Sequence, residues 1–384
     1  MRIANEVRIK SIANEYLNSI TWEQDLSSIF ESLDSQAIEP PGSLVIEENR
    51  RLPKVLPGQV LVKTVAVALN PCDWKMPTNF PHPGAGDGSD YAGIVVELGP
   101  GVVRKDLRIG DRVAGAVHAS NPLNPESGSF AQYVAGYADH LWKIPDTMSM
   151  QDAAAIGWCT VGSVGMALHA LKLPGSPEKP VQKPVYVLVY GGSTASGTMA
   201  IQLLKLSGFK VITTCSPKNF ALVESYGAEK AFDYRLSSCA KDIRAYTNNS
   251  VRFVLDIITV AKSIKLCYAA IGRTGGQYLG FELIPEELIA NMRKVVKADW
   301  VLGIRLTGED IALPGGYGSK ADPELRIWGS KFAARIESLI HAKKIRPHPP
   351  KVYPGGLDGI ISGVERMKRG EISGEKMVYL IGSC

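Results

Sequence analysis

Residues 185–208 read VYVLVYGGSTASGTMAIQLLKLSG, and this stretch decides the fold. Its first part, VYVLVY, is a continuous apolar run of the kind that forms a strand buried on both faces. A turn of small residues and a helical segment follow at once. Glycines in such a turn let the backbone approach a pyrophosphate, and free N–H groups at the helix start stabilise its negative charge. The stretch therefore predicts the opening strand, turn and helix of a dinucleotide-binding domain.

The glycine pattern of this turn matches the usual G-x-G-x-x-G motif imperfectly. Gly192 and Gly197 hold the outer places, while Thr194 replaces the middle glycine. On the motif alone, a glycine-rich turn that binds no nucleotide stays open. The segments around the turn carry the prediction further.

Helical and strand-like patterns alternate after the turn. They cover a helix at 195–207 and a strand at 210–214, a helix at 219–226, and strands at 231–234, 251–256 and 277–281. Such alternation is typical of a doubly wound parallel sheet in an α/β fold.

Short β-rich runs separated by Gly/Pro turns dominate the chain from about residue 43. Examples are GQVLVKTVAVAL at 58–69 and YAGIVVEL at 91–98. They predict an antiparallel, barrel-like β domain. We expect a helix near 357–369 and the strand MVYLI at 377–381 to return to this domain.

The first 36 residues mix charges with apolar residues at roughly helical spacing, among them Ile20, Leu26 and Leu33. They are interpreted as a short docking helix or a poorly ordered extension, and their role is left open.

Composition is that of an ordinary globular protein with two domains. The chain has 384 residues, of which 45% are hydrophobic and 21% charged. Its net charge of +5 is spread out, so neither a nucleic-acid nor a membrane patch is indicated. No stretch resembles a signal peptide or a membrane span, so we expect a cytoplasmic protein. Scattered cysteines without a C-x-x-C pair favour reduced thiols: Cys72, Cys159, Cys215, Cys239, Cys267 and Cys384.

The end of the second strand indicates which cofactor is used. It reads KVITTCSPKN at 210–219, without the Asp or Glu that hydrogen-bonds the ribose of NAD. Ser216, Lys218 and Asn219 stand there instead, and Lys218 would neutralise a ribose phosphate. NADPH is therefore predicted over NADH. The alternative is that Ser216 caps the next helix and Lys218 is a surface charge.

Several further segments resemble known reductases. The stretches GSDYAGIVVELGPGV at 88–102, IGDRVAG at 109–115 and GSFAQYVAGYADHLWKIPDTMSMQDAAAIG at 128–157 resemble quinone-oxidoreductase-like medium-chain reductases. NPCDWKM, TTCSPKN, GAEKAFDYR, AAIGRTGGQY and ISGEKMV resemble trans-acting enoyl reductases that serve fungal polyketide synthases or hybrid PKS-NRPS enzymes. The resemblance runs from about residue 40 to the C-terminus. It implies a GroES-like catalytic domain at 37–170 and 345–384, a Rossmann NADPH-binding domain at 171–344, and a separate extension at 1–36.

The residues argue against zinc. Zinc-dependent members of the superfamily have Gly-His-Glu where this chain has Gly88, Ser89 and Asp90, and the four-cysteine structural lobe is absent. Cys72 and Asp90 appear isolated, whereas a catalytic zinc takes three protein ligands. Surface or satisfied core roles are expected for each histidine: His82, His118, His140, His169, His341 and His348.

The resemblance implies hydride transfer from NADPH to the β-carbon of an α,β-unsaturated thioester on an acyl carrier domain, followed by protonation of the α-carbon. It implies cofactor contacts at Cys72, Asp73, Trp74, Lys75, Ser193, Thr194, Ala195, Ser196, Ser216, Pro217, Lys218, Asn219, Tyr234, Phe281, Glu282, Ser373 and Gly374. It implies that two walls of the acyl pocket are formed by Thr160, Val161, Gly162, Ser163, Val164, Gly165, Met166, Ala167 and Leu168, and by Ile304, Arg305, Leu306, Thr307 and Gly308.

Departures from the family pattern leave several points open. The family usually has Ser-Asp-Thr-Lys at 72–75, so Trp74 is expected to reshape the pocket near the nicotinamide. Glu282 and Arg305 are charged where neutral residues are expected. Lys75 is either catalytic or tethers its domain by a salt bridge. No residue is identified as the proton donor, and water stays open as the source of the proton.

Two other functions share these features. One is a free-standing quinone or enone reductase, and the other is a non-catalytic NADPH-binding partner of a synthase. The resemblance favours a monomer.

Overall fold

The computed structural model describes residues 3–10 and 42–382, so the helical pattern at 20–33 lies outside the described residues. Its strands are β1 (Ile3–Ile9), β2 (Leu44–Arg51), β3 (Gln59–Ala68), β4 (Asp90–Leu98), β5 (Arg112–Ala116), β6 (Tyr133–Tyr137), β7 (Trp142–Lys143), β8 (Tyr186–Tyr190), β9 (Lys210–Cys215), β10 (Lys230–Asp233), β11 (Phe253–Asp256), β12 (Gly276–Gly280), β13 (Val296–Trp300), β14 (Pro350–Tyr353) and β15 (Lys376–Leu380).

Its α-helices are α1 (Cys72–Asn79), α2 (Met150–Ile156), α3 (Trp158–Leu171), α4 (Ala195–Leu206), α5 (Phe220–Ser225), α6 (Cys239–Tyr246), α7 (Ala261–Ala270), α8 (Glu286–Ile289), α9 (Pro323–His341) and α10 (Gly356–Lys368). Short 3₁₀ helices cover Ala138–His140, Pro217–Asn219 and Gly303–Thr307.

The second half of the chain forms a parallel sheet with the strand order β10-β9-β8-β11-β12-β13. This is the 3-2-1-4-5-6 order of a doubly wound nucleotide-binding fold. Val187, Leu188 and Val189 of the central strand β8 are fully buried, as the continuous apolar run predicts. The α/β prediction is confirmed. The strand order reverses between β8 and β11, and ligands of such sheets bind at this point.

The first half forms a sheet ordered β14-β15-β3-β4-β5-β7, with β6 also paired to β3. Its pairs are antiparallel except for β14 and β15. The last strand joins β3 through Val378 opposite Ala68, so the chain does return to this sheet. The sequence-based domain boundaries at 170/171 and 344/345 stay predictions.

The N-terminal strand β1 differs from the helical or poorly ordered extension predicted there. It pairs antiparallel with β2, and Val7 and Ile9 are buried. The Arg8 guanidinium forms an ion pair with Glu6 at 2.9 Å inside this contact. The prediction for 1–36 is therefore wrong at Ile3–Ile9, because the helical signal came from residues farther along and the strand is fixed by a distant partner.

Helices α2 and α3 connect the two domains through a shared core. Ala155 and Val164 pack in the same apolar cluster as Ala114 of β5 and Val189 of β8. By length and composition the stretch Met150–Leu171 could cross a membrane, yet 72% of its most apolar window is buried within the protein. Such burial is typical of a core helix. Because α3 packs in a core shared by both domains, its N-terminal end lies at the junction of the domains.

Candidate active site

A cleft of about 450 Å³ lies between the β-rich domain and the carboxyl edge of the parallel sheet. Both domains contribute side chains to it, so a ligand in the cleft contacts both. Four segments of the β-rich domain line it: residues 69–72, 75–76, 116–119 and 372–377. The facing segments are residues 193–196, 257–258, 281–282 and 301–304.

The turn after β8 presents backbone N–H groups to this cleft. Thr194 caps α4, because its hydroxyl accepts a hydrogen bond from the Gly197 N–H at 3.0 Å. The intrahelical bonds begin with the Thr198 N–H and the Thr194 carbonyl at 2.9 Å. The N–H groups of Ala195 and Ser196 precede this ladder and are free to bind an anion. Thr194, the departure from the glycine motif, thus organises the turn.

The residues predicted for the adenosine end lie beside the cleft and not in its lining. Lys218 is exposed after β9 and forms no ion pair with a carboxylate of the described residues. The Ser216 side chain makes no capping hydrogen bond, so the capping role left open for it is not observed. The Asn219 side chain donates to the Ser373 hydroxyl at 3.2 Å, and the Tyr234 ring lies at the end of β10. The predicted segments 216–219 and 373–374 therefore meet.

An ion pair crosses the cleft between the domains. The Lys75 ammonium on α1 lies 3.1 Å from Glu282, which follows β12. The Tyr317 hydroxyl donates to the other carboxylate oxygen of Glu282. All three residues and Phe281 line the cleft. The tethering role left open for Lys75 is thus observed, and it explains why Glu282 is charged.

A buried polar network lies under the β-domain side of the cleft. Asp90 accepts hydrogen bonds from the Asn70 side chain at 2.8 Å and the Cys159 N–H at 2.7 Å, and the Lys376 ammonium lies 3.5 Å away. The side-chain amide oxygen of Asn70 accepts a hydrogen bond from the same ammonium. Burial raises the pKa of Asp90, and the charge of Lys376 opposes this shift. The network fixes the ends of β4 and β15 against α3.

Asp73 lies in the same network, below the cleft surface. It accepts from the Ser89 hydroxyl at 2.9 Å and from the Asn70 N–H at 2.7 Å. Burial raises the pKa of its carboxyl to about 7, and the neighbouring charge of Asp90 adds to the shift. The predicted direct contact of Asp73 with the cofactor is therefore replaced by a supporting position.

The raised pKa of Asp73 predicts a pH-dependent stability. The unfolded carboxyl titrates near pH 3.9, so between about pH 4 and 7 the folded chain binds more protons than the unfolded chain. This excess makes the free energy of unfolding fall as the pH rises. Asp73→Asn removes this contribution. The free energy of unfolding of the variant, relative to that of the parent, should therefore increase by about 2–4 kcal/mol as the pH rises from about 4 to 7. Urea denaturation of parent and variant at pH 4.5 and 7.5 measures this difference. If the free energy of unfolding changed equally with pH in both, the raised pKa of Asp73 would be contradicted. Asp146→Asn, at an exposed position, serves as the control.

Trp74 does not lie where the resemblance places it. On α1, Cys72, Lys75 and Asn79 share the cleft face at spacings of three and four residues. Trp74 falls on the other face and packs against the apolar core of the β-rich domain. This placement corrects the expectation that Trp74 reshapes the nicotinamide side.

The two predicted walls of the acyl pocket pack together, but only part of each faces the cleft. Gly162 lies close to Leu306, so α3 contacts the 3₁₀ helix Gly303–Thr307. Residues three apart share a face on both helices, and Thr160 with Ser163, and Ile304 with Thr307, line the cleft. The other predicted wall residues do not line it: Val161, Gly162, Val164, Gly165, Met166, Ala167, Leu168, Arg305, Leu306 and Gly308.

Cysteine side chains meet at the β-domain side of the cleft. The Cys72 sulfur lies 3.5 Å from that of Cys159 and 3.4 Å from the Ser89 hydroxyl. The expectation that Cys72 is isolated is therefore wrong. Cys159 lies beside it in space, although the two are 87 positions apart in sequence. The contact with Cys159, followed by burial, raises the pKa of Cys72 well above its usual range.

These groups do not fit a catalytic zinc ion. The cleft offers two cysteine side chains and a serine hydroxyl here, with neither the histidine nor the free carboxylate beside them that would complete the three protein ligands of a catalytic zinc. The Asp90 carboxylate is already bonded to Asn70, Cys159 and Lys376. No group of three or more His, Cys, Asp or Glu side chains within the described ranges 3–10 and 42–382 could hold a metal ion.

Sequence reasoning missed several residues that line the cleft, notably His118, Trp158, Cys159, Leu313 and Tyr317. Cys159 directly precedes the predicted wall residue Thr160, so extending that wall by one residue would have included it. The loop around Tyr317 has no pattern that links it to Glu282. Only the tertiary structure brings these segments together.

Comparisons with known proteins agree with this architecture. A family profile described as alcohol dehydrogenase GroES-like domain matches residues 56–146, and one described as zinc-binding dehydrogenase matches residues 195–310. The trans-enoyl reductase mycC of Thermothelomyces thermophilus is 62% identical over 352 residues, which cover 89% of this chain and 95% of the relative. The trans-enoyl reductase xenG of Xenoacremonium sinensis is 55% identical over 346 residues, which cover 90% and 94%.

A solved structure shows the same fold at low sequence identity. Mycobacterial Rv1454c in complex with NADPH superposes with a TM-score of 0.66 at 20% identity, covering 89% of this chain and 96% of its own.

Proposed function

The chain belongs to the trans-enoyl reductases of fungal polyketide pathways, within the medium-chain dehydrogenase/reductase superfamily, and we propose that it uses NADPH to reduce an α,β-unsaturated acyl thioester held on the carrier domain of a partner synthase. One observation carries the proposal: a single cleft joins a helix N-terminus suited to a pyrophosphate with an apolar wall. The wall includes Trp158, Leu302, Ile304 and Leu313.

The groups around the cleft match the needs of enoyl reduction. NADPH, when bound, supplies the hydride that adds to the β-carbon. The free N–H groups of Ala195 and Ser196 would hold its phosphates, and the apolar wall would exclude water from the reacting carbons. The Lys75–Glu282 ion pair joins the two domains around the ligand. Water is the proposed source of the proton at the α-carbon.

NADPH is favoured over NADH by the charge at the end of β9. Lys218 is exposed there, and the adjacent residues Ser216 and Asn219 add a hydroxyl and an amide. No carboxylate stands at this strand end to repel a ribose phosphate. The complex of the mycobacterial neighbour with NADPH is consistent with this choice.

Lys218→Ala is expected to weaken NADPH binding about tenfold and to leave NADH binding unchanged, because one charge-assisted contact with the 2′-phosphate is lost. Dissociation constants from nucleotide fluorescence measure both effects. Lys230→Ala removes an equally exposed lysine from the opposite, amino end of β10 and should change neither. Unchanged NADPH affinity in Lys218→Ala would refute this assignment.

The proposed substrate is tested by NADPH oxidation with three acceptors. These are a 2-butenoyl thioester on an excised synthase carrier domain, the same thioester on N-acetylcysteamine, and a free quinone or enone. The carrier-bound thioester should give the highest kcat/KM. Higher activity on the free enone would support the free-standing reductase instead. NADPH binding without oxidation of NADPH by any acceptor would support a non-catalytic partner.

A cytoplasmic location and a monomeric state stay predictions. The proposed carrier-domain partner is supported by the relatives' name, trans-enoyl reductase, and it is tested by the same comparison of acceptors.

A further inference from the structure

His118 is a cleft residue with an unsatisfied polar atom. Its Nε2 is buried and has no hydrogen-bond partner in the described part of the chain, which corrects the expected surface or satisfied core role. A buried polar atom without a partner loses the hydrogen bond that it makes with water in the unfolded chain. Other buried side chains with an unpartnered polar atom do not line the cleft: Thr64, Asp87, Tyr91, Trp142 and Thr214. The arrangement indicates that a bound molecule supplies the missing partner of His118.

The position of His118 indicates which molecule this is. His118 follows β5, and the adjacent Val117 N–H donates to the Ser89 carbonyl at 3.1 Å. His118 therefore belongs to the β-domain wall, on the side of Ser89 and Cys72. The cofactor turn and the strand ends that would hold the nicotinamide lie on the facing wall. A substrate in the cleft would lie between the two walls, beside the wall that carries His118.

We propose that His118 donates a hydrogen bond from Nε2–H to the thioester oxygen and stabilises the enolate that forms there. This inference rests on the proposed enoyl reduction. The hydride electron pair forms the new C–H bond at the β-carbon, and the π electrons of the C=C bond shift through the α-carbon to the thioester oxygen. The nicotinamide is oxidised, the enoyl group is reduced, and a water proton then bonds to the α-carbon.

The environment of His118 suits a neutral donor. Burial lowers the pKa of its imidazole to about 4, so the ring is uncharged at neutral pH and carries one N–H. Donation to the oxygen requires that this proton resides on Nε2. A neutral imidazole keeps its proton while it stabilises a developing oxyanion, and a donor fixed before the reaction needs little reorganisation.

The test compares His118→Phe, His118→Gln and His341→Phe with the parent. Phenylalanine keeps the ring but lacks a donor, whereas glutamine carries an amide N–H near the position of Nε2. His341→Phe makes the same change at an exposed histidine outside the cleft lining. The assay is NADPH oxidation with the 2-butenoyl thioester of N-acetylcysteamine, together with the NADPH dissociation constant and the isotope effect for NADPH deuterated at C4.

His118→Phe should lose at least about 100-fold in kcat, since removal of one oxyanion donor has this effect. NADPH affinity should stay within about twofold, and the isotope effect should rise because hydride transfer slows. His118→Gln should recover part of kcat, and His341→Phe should match the parent.

Two results would overturn the role of His118. One is a His118→Phe variant as active as the parent, and the other is a loss of NADPH affinity that accounts for the whole loss of kcat/KM. If His118→Phe does not fold, a comparison of folded His118→Gln with His118→Leu decides whether a hydrogen-bond donor at this position supports kcat. A parent that reduces only free enones would refute the proposed thioester substrate, and the same variants assayed on the enone carbonyl would still decide the role of His118.

Discussion

Gly197→Ala is expected to weaken NADPH binding by about 5- to 150-fold. An alanine Cβ at this position would lie 2.4 Å from the Gly191 carbonyl oxygen and 2.6 Å from the Gly192 Cα. Both atoms belong to the backbone of the cofactor turn, so neither can move without displacing the N–H groups that face the phosphates. Overpacking of this kind costs about 1–3 kcal/mol, and the upper value corresponds to roughly 150-fold in affinity.

Isothermal titration with NADPH measures this loss, and urea denaturation separates it from unfolding. Gly382→Ala is the matched control, because its Cβ would lie 3.6 Å from the Thr64 carbonyl at ordinary contact distance. It should bind NADPH like the parent. An affinity within threefold of the parent in Gly197→Ala would show that the turn does not contact the cofactor phosphates.

The fold was predictable where the signal is local. The apolar run before the glycine turn predicted a strand at 185–190, and the structure has β8 at Tyr186–Tyr190. The return of the C-terminus was also expected, and β15 pairs with β3. Strand β1 was not predicted, because its seven residues are ordered by β2, about forty residues away along the chain. Short-range patterns carry no information on such a pairing.

The candidate site was predictable where it follows the strand ends of the parallel sheet. Ser193 and Glu282 line the cleft, since the carboxyl ends of the strands meet at one edge. Whether a residue faces the cleft or the core depends on the orientation of its helix. The sequence does not show this orientation, so Trp74 was expected on the cleft side. The role proposed for His118 could not be found from sequence, because it depends on whether the folded chain provides a hydrogen-bond partner for its Nε2.

The ISGEK segment shows how one stretch can serve the ligand and the fold together. Ser373 contacts Asn219 of the facing domain through a 3.2 Å hydrogen bond. Three residues later, Lys376 is buried and bonded to Asn70 and Asp90. Cofactor contacts were expected of this segment at Ser373 and Gly374, whereas its structural anchor was not. The anchor predicts a large effect on stability.

Lys376→Met is expected to lower the free energy of unfolding by about 3–5 kcal/mol, because removal of one partner leaves a buried charge uncompensated. The side chain of Lys376 is 5% exposed and that of Asp90 is fully buried, so water cannot replace the ammonium. Without it the pKa of Asp90 rises further, and the carboxyl is protonated more readily in the folded chain. The destabilisation should therefore be smaller at pH 5 than at pH 8.

Urea denaturation of parent and variant at both pH values checks the size and the sign of this effect. Lys351→Met is the control, because Lys351 is exposed and solvent screens its ion pair with Glu375, so the pair contributes little to stability. The double variant Lys376→Met/Asp90→Asn should regain part of the stability, since it removes the charge that the single variant leaves buried. An equal loss in the single and double variants would show that Lys376 acts through packing of its aliphatic stem and not through its charge.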